Sequence, residues 1–166
     1  MTRTNVLFLC DDNAARSLMA EAYLNHAGRT QYRAWSAGFE PQEAADPAIL
    51  TLLADAGIRA GGLHPKALSV FAAADAPRMD LVVSLCAREA PGRGVLPGSP
   101  EAVRWPVGDP ALSAGLGGGE RGALIDLFAE IRQLVDGFLV RSHADAVAVP
   151  AMPVSSPFSD RIAENA

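Results

Sequence analysis

The sequence predicts an α/β fold in which helices cover both faces of an open parallel sheet. Short apolar runs, over residues 5–9 and 80–85, have the length and near-unbroken hydrophobicity of strands buried on both faces. These runs alternate with longer segments whose apolar residues recur at helical spacing. Because a strand buried on both faces needs helices above and below it, the alternation indicates parallel strands joined by helices.

The first predicted unit is a strand, a tight loop and a helix. The strand covers residues 5–9 and ends at Cys10. The helix covers residues 17–26, where apolar side chains recur at helical spacing, and it ends before Gly28, because glycine commonly terminates helices. Cys10 is therefore expected in the loop between a strand and a helix.

The second unit repeats this order. A strand is predicted over residues 32–36 and a helix over residues 47–56. Asp46 is the expected N-cap, since its carboxylate can accept a backbone N–H of the first turn, and Gly57 is the expected C-cap.

The remaining elements complete the sheet. A strand over residues 80–85 ends at Cys86, and residues 102–105 form a candidate fourth strand. The last helix has the clearest pattern, with one apolar stripe. The stripe consists of Leu124, Leu127, Phe128, Ile131, Leu134, Val135, Phe138 and Leu139.

Length and composition indicate one soluble domain. A chain of 166 residues with 49% hydrophobic and 20% charged residues can bury one sizeable core and has no apolar stretch of about 20 residues that could span a membrane. Periodicity stops after residue 141, where alanine, proline and serine dominate. We therefore predict a catalytic domain over residues 1–141 and an irregular or disordered tail over residues 142–166.

Charge and cysteine content limit the function classes. The net charge is −5 and the 14 basic residues are scattered, which argues against binding nucleic acid or a membrane. The apolar run near the N-terminus is too short for a signal peptide, so we expect a cytoplasmic monomer whose two cysteines are free thiols. The spacing of the three histidines and two cysteines gives no metal site.

The loop after Cys10 carries the candidate chemistry. Ligands of open α/β sheets bind beyond the carboxyl ends of the strands, and the start of a helix attracts anions and lowers the pKa of a thiol. Arg16 follows Cys10 after five intervening residues, and its guanidinium can hold two oxygens of a tetrahedral oxyanion. Ser17 can donate its hydroxyl to the thiolate. The predicted oxyanion-binding loop consists of Asp11, Asp12, Asn13, Ala14 and Ala15.

Motifs around this loop occur in a recognisable order. The first group is Val6-Leu7-Phe8-Leu9-Cys10, Asn13, Ala15-Arg16-Ser17 and Met19-Ala20-Glu21-Ala22; the second is Ser36-Ala37-Gly38, Glu40-Pro41, Leu85-Cys86, Pro97-Gly98, Trp105 and Asp109-Pro110. Together they resemble the low-molecular-weight phosphotyrosine phosphatase superfamily, and in particular its arsenate reductase branch. The similarity covers about residues 4–140.

The resemblance implies a four-stranded parallel sheet and a set of residue roles. Cys10 would be the nucleophile, Arg16 the oxyanion clamp and Asp109 the acid that protonates the leaving oxygen. In the reductase branch a second cysteine, matched here by Cys86, attacks the adduct of Cys10 with arsenic, releases arsenite and leaves a disulfide. Three further matches shape the loop and its surroundings in the family: Asn13, Glu21 and Ser36.

Two carboxylates depart from the family pattern. The family has small neutral residues where this chain has Asp11 and Asp12. If these side chains point inward, they raise the pKa of Cys10 and repel the oxyanion. If they point outward, the loop stays competent, and the sequence leaves both arrangements open.

A third cysteine of the thioredoxin-coupled reductases is also missing, since Arg93 stands near its place. An external thiol (thioredoxin, glutathione or mycothiol) would then complete the cycle, with thioredoxin or glutaredoxin as a protein partner and no bound cofactor. Leu18 in place of proline and the lack of a tyrosine after Pro110 favour the reductase branch.

Three functions follow in order of preference. The first is an arsenate reductase-like enzyme that acts on a small oxyanion. The second is a phosphatase acting on phosphotyrosine or another phosphate ester, which would not need Cys86. The third is a non-catalytic binding or regulatory module. Individual residues also have simpler interpretations, because Cys86 can be a small buried apolar residue and Asp109 can cap a turn.

Overall fold

The computed structural model describes residues 2–91, 94–109 and 119–141. Within these ranges the chain forms a four-stranded sheet with strand order β2-β1-β3-β4, in which every paired strand is parallel. The strands are β1 (Thr4–Cys10), β2 (Tyr32–Gly38), β3 (Leu81–Ser84) and β4 (Glu101–Arg104). The predicted parallel sheet is confirmed.

The helices in the described ranges are α1 (Arg16–Ala27), α2 (Pro47–Asp55), α3 (Ser69–Ala72) and α4 (Gly119–Val140). The short helix α3 was not predicted, because its four residues are too few to show a helical period. None of these helices combines the length and apolar character needed to cross a membrane. The predicted tail over residues 142–166 lies outside the described residues.

Side chains alternate between two apolar clusters along β1. Val6 and Phe8 pack into a large cluster with residues of α1, α2 and α4 on one face, and Leu7 and Leu9 pack on the other face with Phe71 of α3. This alternation is the period of two of a strand. Helices therefore cover both faces, and β1 is buried at the centre of the sheet.

The strands and helices predicted between residues 5 and 105 are present, and their ends differ from the prediction by at most two residues. The second strand continues to Gly38, because Ala37 and Gly38 pair with Leu9 and Cys10 of β1. In α2 the Asp46 carboxylate does accept the Ala48 N–H, at 2.9 Å, which confirms the N-cap.

The predicted C-cap Gly57 is wrong by one residue. Ala56 is the C-cap of α2, and Gly57 follows it with φ +72°. Glycine adopts this left-handed conformation without steric cost, which explains why it stands just after the helix end.

Candidate active site

The loop after β1 is held by the segment that follows β2. Because a trans peptide points its N–H opposite to its C=O, a carbonyl held on one side sends the neighbouring N–H to the other side. Asn13 N–H, for example, points to the Cys10 sulfur at 3.2 Å. The loop carbonyls accept four backbone bonds of 2.8–3.3 Å, from Phe39 to Cys10, Glu40 to Asp11, Gln42 to Asp12 and Asp46 to Ala14. These bonds fix the loop in the conformation in which the Asn13 N–H points to the sulfur.

The Cys10 side chain is buried, and polar groups of three neighbouring loop and helix residues contact its sulfur. They are the Ser17 hydroxyl at 2.9 Å, the Asn13 N–H at 3.2 Å and the Asp12 carboxylate at 3.6 Å. The Ser17 oxygen also accepts a bond from the Asn13 side-chain amide, at 2.7 Å. That bond occupies one lone pair of Ser17, and the Cys10 thiol donates its proton to Asp12, so the Ser17 hydroxyl proton is available to the sulfur. Ser17 therefore stabilises a thiolate at Cys10.

Burial nevertheless raises the pKa of the Cys10 thiol above its ordinary value. The Ser17 hydroxyl, the Ser17 backbone N–H and Arg16 act in the opposite direction, while the Asp12 carboxylate raises the pKa further. The predicted lowering of the pKa at the helix start is therefore wrong for this loop. Desolvation outweighs the donors around the sulfur and favours the neutral thiol form of Cys10.

Arg16 is buried at the start of α1 and meets two carboxylates. Its Nη2 lies 3.3 Å from Asp11 Oδ2 and 3.8 Å from Asp109 Oδ2, and only 7% of its side chain is exposed. The second Asp11 oxygen lies 3.5 Å from Nε of Arg88. Asp11 thus bridges two guanidinium groups at the mouth of the loop, and Asp109 reaches the same mouth.

Both loop carboxylates contact groups that an oxyanion would use. Asp11 holds the Arg16 guanidinium, and Asp12 Oδ1 accepts the Ala14 N–H at 3.2 Å while facing the Cys10 sulfur. Of the two arrangements that the sequence leaves open, the structure has the one in which the carboxylates face the site. An incoming anion would compete with these carboxylates for the Arg16 guanidinium and the Ala14 N–H.

Behind the loop, Asn13 joins it to the rest of the fold. Asn13 has φ +49°, a left-handed conformation that asparagine tolerates better than most residues. Its side-chain oxygen accepts the Lys66 N–H at 2.8 Å, and its amide donates to Ser17. Gly38 passes so close that an added Cβ would lie 3.0 Å from Asn13 N and from Asp11 O.

A largely buried ion pair, with side chains 13–14% exposed, lies beside Asn13. Glu21 Oε2 accepts the Ser36 hydroxyl in a short bond and lies 3.5 Å from Lys66 Nζ, which also donates to the His64 carbonyl at 2.9 Å. Burial raises the pKa of Glu21, and Lys66 and Ser36 oppose that rise. Glu21 and Ser36 were predicted from the sequence, whereas Lys66, the single lysine of the chain, was not.

Cys86 lies just beyond β3, at the same edge of the sheet as Cys10. Leu9 pairs with Ser84, and the Leu85 N–H donates to the Leu9 carbonyl at 2.8 Å. The Cys86 thiol is buried, 3.6 Å from the Ser84 hydroxyl, and both cysteines are free. The adjacent strands β1 and β3 therefore each lead to a buried thiol, Cys10 as the last residue of β1 and Cys86 two residues after β3.

Arg88 was also missed, although it follows Cys86 by two residues. Its guanidinium lies 3.5 Å from Asp11, 3.2 Å from Glu40 and over the Phe39 ring at 5.1 Å. It ties the segment after β3 to the loop. Among the described residues, no group of histidine, cysteine and acidic side chains could hold a metal ion.

The sequence of this chain matches a known protein family. A profile of the low molecular weight phosphotyrosine protein phosphatase family matches residues 5–93, more than half of the chain. The chain belongs to that family. The match spans the loop, α1, β2, α2, α3 and β3, so the predicted family and fold are confirmed for this phosphatase-family enzyme.

Several relatives of this family member are arsenate reductases. The arsenate reductase of Halalkalibacterium halodurans is 28% identical over 69% of this chain and 80% of its own length. The structure of arsenate reductase from Archaeoglobus fulgidus is 32% identical, with a TM-score of 0.59 over 79% of this chain and 98% of the other. The thioredoxin-dependent arsenate reductase of Corynebacterium glutamicum is 22% identical, with a TM-score of 0.57 over 81% of this chain and 61% of the other, and shares the fold.

Proposed function

We propose that this enzyme is an arsenate reductase that forms an arsenic adduct on Cys10 and uses a second thiol to release arsenite. The observation that carries the proposal is the pair of buried free thiols, Cys10 and Cys86, at the ends of the adjacent strands β1 and β3. A phosphatase needs one nucleophilic sulfur, whereas a two-electron reduction needs two. The arsenate reductases among its relatives support the same assignment.

The first step joins sulfur to arsenic. Arg16 and the loop N–H groups bind the oxygens of arsenate, and the thiol proton of Cys10 passes to an oxygen of the arsenate dianion, so the total charge of the site does not change. The thiolate then attacks arsenic, with Ser17 donating to the sulfur. One arsenic–oxygen bond breaks, and that oxygen leaves as water when it is protonated by Asp109, which lies 3.8 Å from Arg16 and has first taken up a proton from solvent.

The second step transfers the electrons. A second thiolate, from Cys86 or a small external thiol, attacks the sulfur of Cys10 and forms a disulfide. The sulfur–arsenic bond breaks with its electron pair on arsenic, so arsenic(V) becomes arsenic(III) and two thiols are oxidised. An external thiol must reduce this disulfide directly, because the chain has two cysteines. Thioredoxin, glutathione and mycothiol are the candidate reductants, and thioredoxin is the one that a relative's description names.

Arsenite production tests the proposal. Purified protein should convert arsenate to arsenite with at least one of the thioredoxin, glutaredoxin–glutathione and mycothiol systems, measured together with NADPH consumption. Cys10→Ser should abolish turnover in all of them. Cys86→Ser should abolish turnover or make it depend on a small monothiol. If no system yields arsenite, the reductase assignment is wrong.

A phosphatase is the second candidate, and the description of the matching family favours it. Cys10, Arg16 and Asp109 would serve that reaction, and Cys86 would have no role. Hydrolysis of an aryl phosphate that Cys86→Ser leaves at the wild-type rate, without arsenite formation, would decide for the phosphatase.

A binding module is the third candidate. Two contacts favour it, Asp11 with Arg16 and Asp12 with Cys10. In both, a carboxylate already contacts a group that would otherwise face the bound oxyanion. Measuring the rate of Cys10 alkylation against pH, with and without phosphate, tests this candidate. Because burial already raises the Cys10 pKa in this loop, the deciding result is the absence of protection by phosphate at every pH.

A further inference from the structure

We propose that Asp12 makes this loop selective for tetrahedral oxyanions that carry a proton, so that arsenate and phosphate bind and sulfate does not. The inference rests on the oxyanion site of the proposed function. It assigns a specificity-determining role to a residue that the family pattern does not contain at this position.

Asp12 lies beside the Cys10 sulfur, where an oxyanion would bind. Its Oδ1 lies 3.6 Å from the Cys10 sulfur and accepts the Ala14 N–H at 3.2 Å. The Asp12 carbonyl is fixed by the Gln42 N–H at 2.9 Å. An oxyanion placed for attack has its central atom about 3–3.5 Å from the nucleophile, and its oxygens then lie within hydrogen-bonding reach of Asp12.

The Asp12 carboxylate needs a hydrogen-bond donor on the bound anion. A carboxylate only accepts hydrogen bonds, and so does a fully ionised oxyanion. Two acceptors facing each other in a desolvated site repel, with no proton between them. At neutral pH arsenate and phosphate keep at least one O–H, which can donate to Asp12, whereas sulfate keeps none.

Loss of the thiol proton of Cys10 makes this need for a donor stronger. The Cys10 thiol donates to Asp12. Once the thiolate forms, that donor is lost and the carboxylate faces a second negative charge. The O–H of the bound oxyanion replaces the lost donor. Sulfate is too weak a base to accept the thiol proton, and it has no O–H to donate to Asp12.

Asp11 provides a matched control. Its two oxygens contact Arg16 and Arg88 at 3.3 and 3.5 Å, so it competes with any anion for positive charge. Removing the charge of Asp11 should strengthen the binding of phosphate and sulfate alike. Removing the charge of Asp12 should change the ratio between them.

The experiment measures protection of Cys10 from iodoacetamide, read by peptide mass spectrometry so that Cys86 is scored separately. Phosphate and sulfate are compared at equal ionic strength and mildly alkaline pH, where both are mainly dianions. In the wild-type protein phosphate should protect at concentrations at least about tenfold lower than sulfate. Asp12→Asn should narrow the ratio to within about twofold, mainly by gaining sulfate affinity. Asp11→Asn should keep the wild-type ratio.

Three results would overturn the inference: equal protection by the two anions in the wild type, protection by neither, or an unchanged ratio in Asp12→Asn. The wild-type ratio needs no variant, so misfolding of a variant cannot hide a failure. Discrimination against sulfate without arsenite production would remove the reductase assignment alone. Arsenite production with equal sulfate binding would remove only the role of Asp12.

Discussion

The two sides of the Cys10 loop differ in how their charges are balanced. Behind the loop, each charged or polar group has a close partner within the fold: Glu21 pairs with Lys66 and Ser36, and Asn13 bonds Lys66 and Ser17. In front of it, Asp11 and Asp109 share the Arg16 guanidinium at 3.3 and 3.8 Å, and the Asp11 carboxylate is half exposed.

This difference separates structural from adjustable electrostatics. Buried pairs at the back can be changed only at the cost of leaving a charge without a partner. At the front, the Asp11 and Asp109 carboxylates are 49% and 42% exposed, so water screens their contacts with the buried Arg16 side chain and these contacts contribute little to folding. We therefore expect front substitutions to alter anion binding and chemistry, and back substitutions to alter stability first.

The largest effect is expected for Arg16→Lys at the front. Lysine keeps the charge but loses the two-pronged contact to an oxyanion, so kcat for the proposed reduction should fall by about 10²–10³-fold. Arsenite formation under saturating reductant measures it. The midpoint of urea unfolding should stay close to that of the wild type. A large loss of stability with retained kcat would reverse the distinction between front and back.

Gly38→Ala tests the back through packing. The added Cβ would lie 3.0 Å from backbone atoms of Asn13 and Asp11, so the loop must move, and we expect a loss of about 1–3 kcal/mol in the free energy of unfolding. Gly61→Ala is the control, because no atom lies within 4 Å of its added Cβ. Equal stability of the two variants in urea would show that the loop tolerates displacement at the back.

Lys66→Met tests the ion pair and gives a pH signature. Without Lys66, the buried Glu21 carboxylate loses its cation, and stability at neutral pH should fall by about 2 kcal/mol. Burial already holds the pKa of Glu21 above its ordinary value, and the variant raises that pKa further. A group with a raised folded pKa is favourable when protonated, and its contribution is lost as pH rises through that pKa.

The deficit of Lys66→Met should therefore shrink when unfolding is measured at a pH below the ordinary pKa of glutamate. The double variant Glu21→Gln/Lys66→Met, compared with Glu21→Gln, serves as the control, because neither protein has a carboxylate to protonate at this position. The difference in stability between these two variants should be the same at both pH values. A pH-independent deficit in Lys66→Met would assign the loss to packing of the lysine stem.

The sequence predicted the scaffold better than the electrostatics. Strand burial, the order of elements and the Asp46 cap depend on local patterns, which hydrophobic period and capping chemistry reveal. Lys66 and Arg88 were missed because they lie 53 residues from Asn13 and, by their numbering, 77 residues from Asp11, so no local pattern links them to the loop. The helix start predicted a lowered pKa for Cys10, but burial depends on the whole fold and has the opposite sign.

The smallest effect on stability is expected for Asp11→Asn. Its contacts with Arg16 and Arg88 involve a carboxylate that is 49% exposed, and Arg88 is 52% exposed, so screening should keep the loss below about 0.5 kcal/mol. The same substitution removes an anion that competes for Arg16, and phosphate should protect Cys10 at concentrations lower by about two- to fivefold. Urea unfolding and the alkylation assay measure the two effects on one preparation. A stability loss of more than about 2 kcal/mol would mean that Asp11 holds the fold together as Glu21 does, and that the front of the loop is no more adjustable than the back.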